Sequence, residues 1–311
     1  MASTITAVAS RRQLPLGNEI FLDHVGHFVR DAQAASRALA RAGFAPTPVS
    51  IQADKDPATG RLVPTGLGNI TAMFARGYLE VLFKNSDTPL ASELDAALTR
   101  RAGLHLAAFS VTDAAAARER LAAAGFPVRD LARMQRPVET EHGSETAAFT
   151  ISRVKPMTMP EGRIQILTHH TESAVWQPRW LSHPNSVCDL IDVVIAVEDV
   201  TEAARRFAGF TGRAATFTPG GALIRLDRGG VYLVSHDRAT EKLPEVPVTS
   251  LPFMIGYALG VESLALAEAA VDGAGLAWRA FEDGIVATFP ADLGEGAWFF
   301  VEAPEDLPWR R

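Results

Sequence analysis

The chain has 311 residues, 47% hydrophobic and 21% charged, with a formal net charge of −6. Those values suit a globular protein long enough for two domains and exclude a disordered chain. The acidic balance, with dense basic spots only at Arg11–Arg12, Arg100–Arg101 and Arg310–Arg311, speaks against a nucleic-acid surface. One cysteine, Cys188, rules out an intramolecular disulfide and suits a reducing, cytoplasmic setting. No apolar run reaches the roughly 18 residues that span a bilayer, so no membrane partner is expected.

Residues 1–18 have no apolar stretch behind Arg11 and Arg12, do not read as a secretory signal, and are expected to form a flexible tail. A strand is predicted over Leu22–Val29. Asp31 follows as a helix N-cap, and an Ala/Leu/Arg run closes at Gly43-Phe44, where glycine suits the left-handed position after a helix. Two more strands are predicted at Asn69–Ala75 and Tyr78–Phe83. The same order then returns. His105–Val111 leads to a cap at Asp113, a helix closing at Gly125, and strands at Thr146–Val154 and Arg163–Leu167. A third copy runs from Ile191–Val197 through Asp199 and Gly212 to Ala222–Leu226 and Val231–Val234. A fourth runs from Phe253–Val261 through Ser263 and Gly275 to Gly284–Phe289 and Trp298–Val301. The cap-to-glycine spacing is the same in three copies (31 to 43, 113 to 125, 263 to 275) and one residue longer in the third. Such repetition is the mark of a reused structural unit. Each unit is too long for a solenoid repeat and reads as a small sheet with one helix on its face. Thr171 to Val187, with two prolines, two tryptophans and no period, interrupts the repetition and marks a junction.

The phrases Leu22-Asp23-His24-Val25, Gly43-Phe44 and Gly77-Tyr78-Leu79-Glu80-Val81-Leu82 resemble the vicinal-oxygen-chelate superfamily, which includes glyoxalase I, extradiol dioxygenases and bleomycin-resistance proteins. More narrowly, Met159-Pro160-Glu161-Gly162-Arg163-Ile164-Gln165, Leu167-Thr168-His169-His170-Thr171 and Trp176-Gln177-Pro178-Arg179-Trp180 look like bacterial glyoxalase-like domain proteins. The resemblance spans nearly the whole chain and is specific for fold rather than reaction. It implies an α+β architecture of four βαβββ modules paired into two domains. The expected layout is an N-terminal domain at 19–172, a linker at 173–187 and a C-terminal domain at 188–311.

In that superfamily a metal sits between two modules, on ligands from the first and last strands of each. By that pattern His24 and Glu80 fall on ligand positions, and Gln165 falls on the position equivalent to Glu80. A glutamate inside an apolar strand also demands a partner on its own account. His105 is the natural second histidine, but strict alignment puts Leu106 at the ligand position; a cap at Thr112 or a β-bulge would restore His105. His169 shares a strand face with Gln165. The candidate metal ligands are therefore His24, Glu80, His105 and Gln165, and the candidate catalytic groups Glu80 and His169. Imidazole with carboxylate suits Fe, Mn, Ni, Co or Zn. The second domain holds Asp192 and Gly256 at the His24 position, and Tyr232 near the Glu80 position, and reads as degenerate. The implied function is a divalent-metal-dependent lyase, isomerase or ring-cleaving dioxygenase acting on a small oxygen-chelating metabolite. The alternative is a metal-free small-molecule-binding protein, and a homodimer is compatible with either.

Overall fold

In the computed structural model, which describes residues 12–56 and 58–311, one order of elements occurs four times: a strand, a helix and three further strands. The first module comprises β1 (Phe21–Phe28), α1 (Ala32–Arg41), β2 (Ser50–Lys55), β3 (Leu62–Met73) and β4 (Tyr78–Lys84), with α2 (Pro89–Arg100) behind it. The second comprises β5 (Gly103–Ser110), α3 (Ala114–Ala123), β6 (Ala132–Thr140), β7 (Gly143–Arg153) and β8 (Arg163–His169), followed by the short α4 (Glu172–Val175). The third comprises β9 (Val187–Val197), α5 (Val200–Thr211), β10 (Ala215–Thr218), β11 (Gly221–Arg225) and β12 (Gly230–Ser235), with α6 (His236–Lys242) behind it. The fourth comprises β13 (Phe253–Val261), α7 (Leu264–Gly273), β14 (Trp278–Phe281), β15 (Gly284–Thr288) and β16 (Ala297–Val301).

Local chemistry fixes where each long helix begins and ends. The side chains of Asp31, Asp113, Asp199 and Ser263 accept hydrogen bonds from backbone N–H groups of the following first turn, which otherwise lack acceptors. Asp113, not Thr112, is the cap of α3. At the other ends Gly43, Gly125, Gly212 and Gly275 adopt φ values of 80°, 85°, 71° and 68°, the left-handed region that other residues adopt at a cost.

The first two modules close into a barrel of order β1-β4-β3-β2-β6-β7-β8-β5; the last two form an open eight-stranded sheet, β10-β11-β12-β9-β13-β16-β15-β14. Pairing of β2 with β6 makes the difference. Register relates the halves residue by residue. His24 pairs with Tyr78, and Glu80 with Gly26, as Asp192 pairs with Gly230, and Tyr232 with Val194. Gly26 faces Leu106 as Val194 faces Gly256, and Ala108 faces Gln165 as Ala258 faces Phe299. Positions His24, Glu80, Leu106 and Gln165 of the first half thus correspond to Asp192, Tyr232, Gly256 and Phe299 of the second. Gly256 thus stands in the fourth module where His24, Leu106 and Asp192 stand in the first three.

The helix-side faces of the two sheets bury one continuous apolar core, in which Phe44 meets Trp298 at 5.2 Å between ring centroids and Phe109 meets Phe210 at 6.1 Å. The opposite faces line two separate interiors. Across the joint, Trp298 donates to the Tyr257 hydroxyl at 2.6 Å, that hydroxyl lies 3.1 Å from His27 Nε2, and His27 Nδ1 donates to the Leu293 carbonyl at 2.9 Å.

Two expectations change. Residues 1–11 of the expected tail lie outside the described residues, but 12–18 are held: Gln13 donates to the Ala75 carbonyl and the Arg12 and Gln13 carbonyls accept from Arg228. The junction is a packed strap rather than a loose linker. Within it His183 caps the Met73 carbonyl and Asn185 the Ala42 carbonyl. None of the helices among the described residues is long and apolar enough to cross a membrane.

Candidate active site

Strand alternation would point Asp23 and His24 to opposite faces. A register irregularity between Leu22 and His24 instead lets the buried Asp23 carboxylate reach His24 Nδ1 at 2.7 Å and His169 Nε2 at 3.0 Å. A carboxylate only accepts, so both imidazoles donate. In neutral His24 this leaves the Nε2 lone pair facing the barrel interior. Burial pushes the Asp23 carboxyl up, but the His169 charge and the hydrogen bonds from both rings outweigh it and hold the carboxyl below the usual carboxylate range. The His24 ring lies stacked on Tyr78 at 4.4 Å, which fixes its tilt.

Glu80 approaches from the neighbouring strand. Its Oε1 accepts from Asn69 at 2.6 Å and from Gln52 at 3.2 Å, while Oε2 stands 3.7 Å from His24 Nε2. That separation is too long for a hydrogen bond. Two ligand atoms each about 2.1 Å from one shared ion stand roughly 3–4 Å apart. Gln165 borders the same space, its Oε1 accepting from Arg153 at 3.0 Å. Arg136, Arg153 and Arg163 complete the wall, and burial lowers the pKa of each.

The expected residues are thus brought together in part. His24, Glu80 and Gln165 line one cavity; His105 does not. It sits at a β-bulge between Gly26 and His27, but Leu106, not His105, lines the interior. His105 instead donates Nε2–H to the Arg101 carbonyl at 3.0 Å and packs on Phe28. His169 reaches the site only through Asp23; its ring is enclosed by Phe149 and Trp176, at 5.0 and 4.7 Å. It is the second donor to the carboxylate that holds His24. Among the described residues, no group of three or more His, Cys, Asp or Glu side chains is arranged to hold a metal ion. The donor set fits a loosely held divalent ion, with His24 Nε2 and Glu80 Oε2 as strong ligands and the Gln165 amide oxygen as a weak third. Each strong ligand is already oriented from behind, by Asp23 or by Asn69 and Gln52. Asp23, Gln52 and Asn69 were not singled out from sequence.

The cavity itself measures about 30 Å³, room for an ion or a water. It shares Arg136 with a larger pocket of about 220 Å³, bordered by Glu139, Arg179 and Trp180, where Arg179 donates to the Glu139 carbonyl. Arg179 and Trp180 give that pocket an aromatic and cationic rim, while Trp176 is buried.

The residues 22–211, more than half of the chain, match the family model of the glyoxalase-like domain. The chain belongs to the glyoxalase-like domain family. No curated protein matches this glyoxalase-like chain. Among solved structures, a hypothetical protein from Staphylococcus aureus is 8% identical with a TM-score of 0.61, the match covering 90% of this chain and 98% of that one. A mutant 4-hydroxymandelate synthase from Streptomyces coelicolor is 14% identical with a TM-score of 0.54, covering 92% and 93%. An Mn(II)-bound glyoxalase from Novosphingobium aromaticivorans is 12% identical with a TM-score of 0.52, covering 91% and 81%. At such identities the likeness is one of fold, that of the vicinal-oxygen-chelate superfamily.

Two buried histidines make the glyoxalase-like chain acid-sensitive. Burial lowers His27 to about 4; burial and then the Arg101 charge lower His105 to about 3. Both values lie below the usual 6.5, so the unfolded chain binds protons that the folded chain refuses. Each histidine's contribution is complete above pH 6.5 and falls by about 1.4 kcal/mol per pH unit towards its folded value. Asp189, raised to about 6 by burial, acts in the opposite direction. The readable quantity is therefore a difference. Urea denaturation from pH 7 to 4.5 is expected to show a shallower loss of stability in His105→Gln than in the parent, and parallel curves would refute this.

Proposed function

We propose that the first barrel is a divalent-metal-dependent active site for a small anionic metabolite that chelates through adjacent oxygens. One observation carries this reading: His24 is held by Asp23 with Nε2 directed at Glu80 Oε2, 3.7 Å away. His24, Glu80 and Gln165 would hold the ion, and the Mn(II)-bound state of the Novosphingobium glyoxalase makes manganese the first metal to try. When bound, such an ion supplies Lewis-acid polarisation of a substrate carbonyl. Arg136, shared by the inner cavity and the larger pocket, holds the substrate's anionic group at the boundary between them. Glu80, the one carboxylate among the residues lining that cavity, would accept the proton from the carbon beside that carbonyl when it is not on the ion. This chemistry is that of an isomerase or lyase; iron in the same place would point to ring cleavage instead.

A second reading, metal-free binding of an anion, draws support from the three buried arginines, which oppose a dication. Metal content of untagged protein by elemental mass spectrometry, before and after incubation with Mn²⁺, Fe²⁺ and Zn²⁺, separates the two. The expected result is near-stoichiometric metal, falling at least tenfold in His24→Ala and Glu80→Gln with unchanged circular dichroism. Metal well below stoichiometry after reconstitution would overturn the metal-dependent reading and leave anion binding.

A further inference from the structure

A cavity of about 670 Å³, larger than either pocket described in the first half, lies on the concave face of the second half. Where the first half presents Glu80 and Gln165, this face presents Tyr232 and Phe299, both lining the cavity. The position of His24 is taken by Asp192, whose carboxylate accepts from Arg310 Nε at 2.7 Å, Arg310 Nη2 at 2.6 Å and Trp309 Nε1 at 2.8 Å. A guanidinium of the chain itself therefore neutralises the carboxylate, and no metal-ligand set is left.

The chain end that delivers Arg310 also builds a wall. The Trp309 ring stacks on Tyr232 at 4.9 Å and 6°, and Phe299 meets it edge-on at 5.0 Å. Val194, Val234, Ile255 and Val286 form the apolar floor. The charged residues that line the cavity are Arg238, Lys242, Arg279 and Arg311, with no carboxylate among them. None of their acidic partners lines the cavity: Glu241 pairs with Arg238 at 2.5 Å and with Lys242 at 3.7 Å, Glu245 with Arg279 at 3.0 Å, and Glu282 and Asp283 with Arg311. The pairs orient the guanidinium groups while leaving N–H donors for a ligand, since each guanidinium carries five.

We infer that this face is a binding site for a small amphiphile with an apolar body, aromatic or alkyl, and an anionic head such as a carboxylate. The volume is that of a metabolite-sized pocket, the aromatic and aliphatic lining takes the body, and the one-sided rim of cations takes the head. The inference does not depend on metal binding in the first barrel.

Isothermal titration of the full chain with decanoate and with decanol, both below micellar concentrations, tests it. One decanoate per chain is expected, at least tenfold tighter than decanol. Val286→Trp, which fills the floor, is expected to abolish binding. Arg279→Glu, at the half-exposed rim, is expected to weaken decanoate at least tenfold and decanol less than twofold. Equal affinity for the two probes, or decanoate binding unchanged in Arg279→Glu, overturns the inference, as does binding lost in Arg136→Glu and retained in Val286→Trp.

Discussion

Asp23→Ala is expected to lower metal affinity of the first barrel by about 10- to 100-fold, the usual effect of removing the group that orients a ligand. The same change costs stability. Two buried imidazole N–H groups lose their acceptor, at about 1–3 kcal/mol each, so a loss of about 2–6 kcal/mol is expected in urea denaturation. Asp23→Asn separates the two effects. The amide keeps the shape and can accept from one imidazole, but it presents N–H to the other. If the turned ring is His24, its proton moves to Nε2 and the lone pair aimed at Glu80 is lost. Asp23→Asn should therefore retain most of the stability and lose most of the metal. An Asp23→Asn protein that binds Mn²⁺ as the parent does would remove Asp23 from the site's function.

Trp298→Ala is expected to cost about 3–5 kcal/mol, the range for deleting a large buried aromatic. Trp298 is fully buried, donates to Tyr257 and touches Phe44, Phe289 and Phe300. Phe44 belongs to the first module and the other partners to the fourth, so the cavity opens in the shared core. Because that core is continuous across both halves, the parent chain should unfold in one transition, coincident by circular dichroism and tryptophan fluorescence. A loss below about 1 kcal/mol would contradict this account of the joint.

Much of this architecture was legible from caps and glycines. Asp31, Asp113, Asp199 and Ser263 with their closing glycines act through bonds within a few residues, so the sequence carries them directly. The last two strands of each module were legible because they are mostly apolar. The second strand of each module was not. β2, β6, β10 and β14 are half-exposed, β6 contains Arg133, Arg136 and Pro137, and only pairing with distant strands makes them strands. The site divides in the same way. His24, Glu80 and Gln165 follow from strand phase and converge. His105 fails because Asp113 is the cap, so the count that puts Leu106 at the ligand position holds, and the bulge at His105 does not reverse it. Asp23 was missed because alternation assigns it to the wrong face. The second half, lacking the metal-ligand set, reads as degenerate from sequence; its cavity depends on where Trp309 and Phe299 come to rest, which is a property of packing.

The closure of the first barrel rests on a short contact. Its seam between β2 and β6 is made by just two residue pairs, Ala53 with Gln135 and Asp54 with Met134, whereas β6 and β7 are paired from Ala132 to Thr140. Opening that short seam breaks few hydrogen bonds and exposes the interior beside Met134 and Arg136. The second half has no seam to open. The two halves, alike in element order, thus differ in closure by this one short contact.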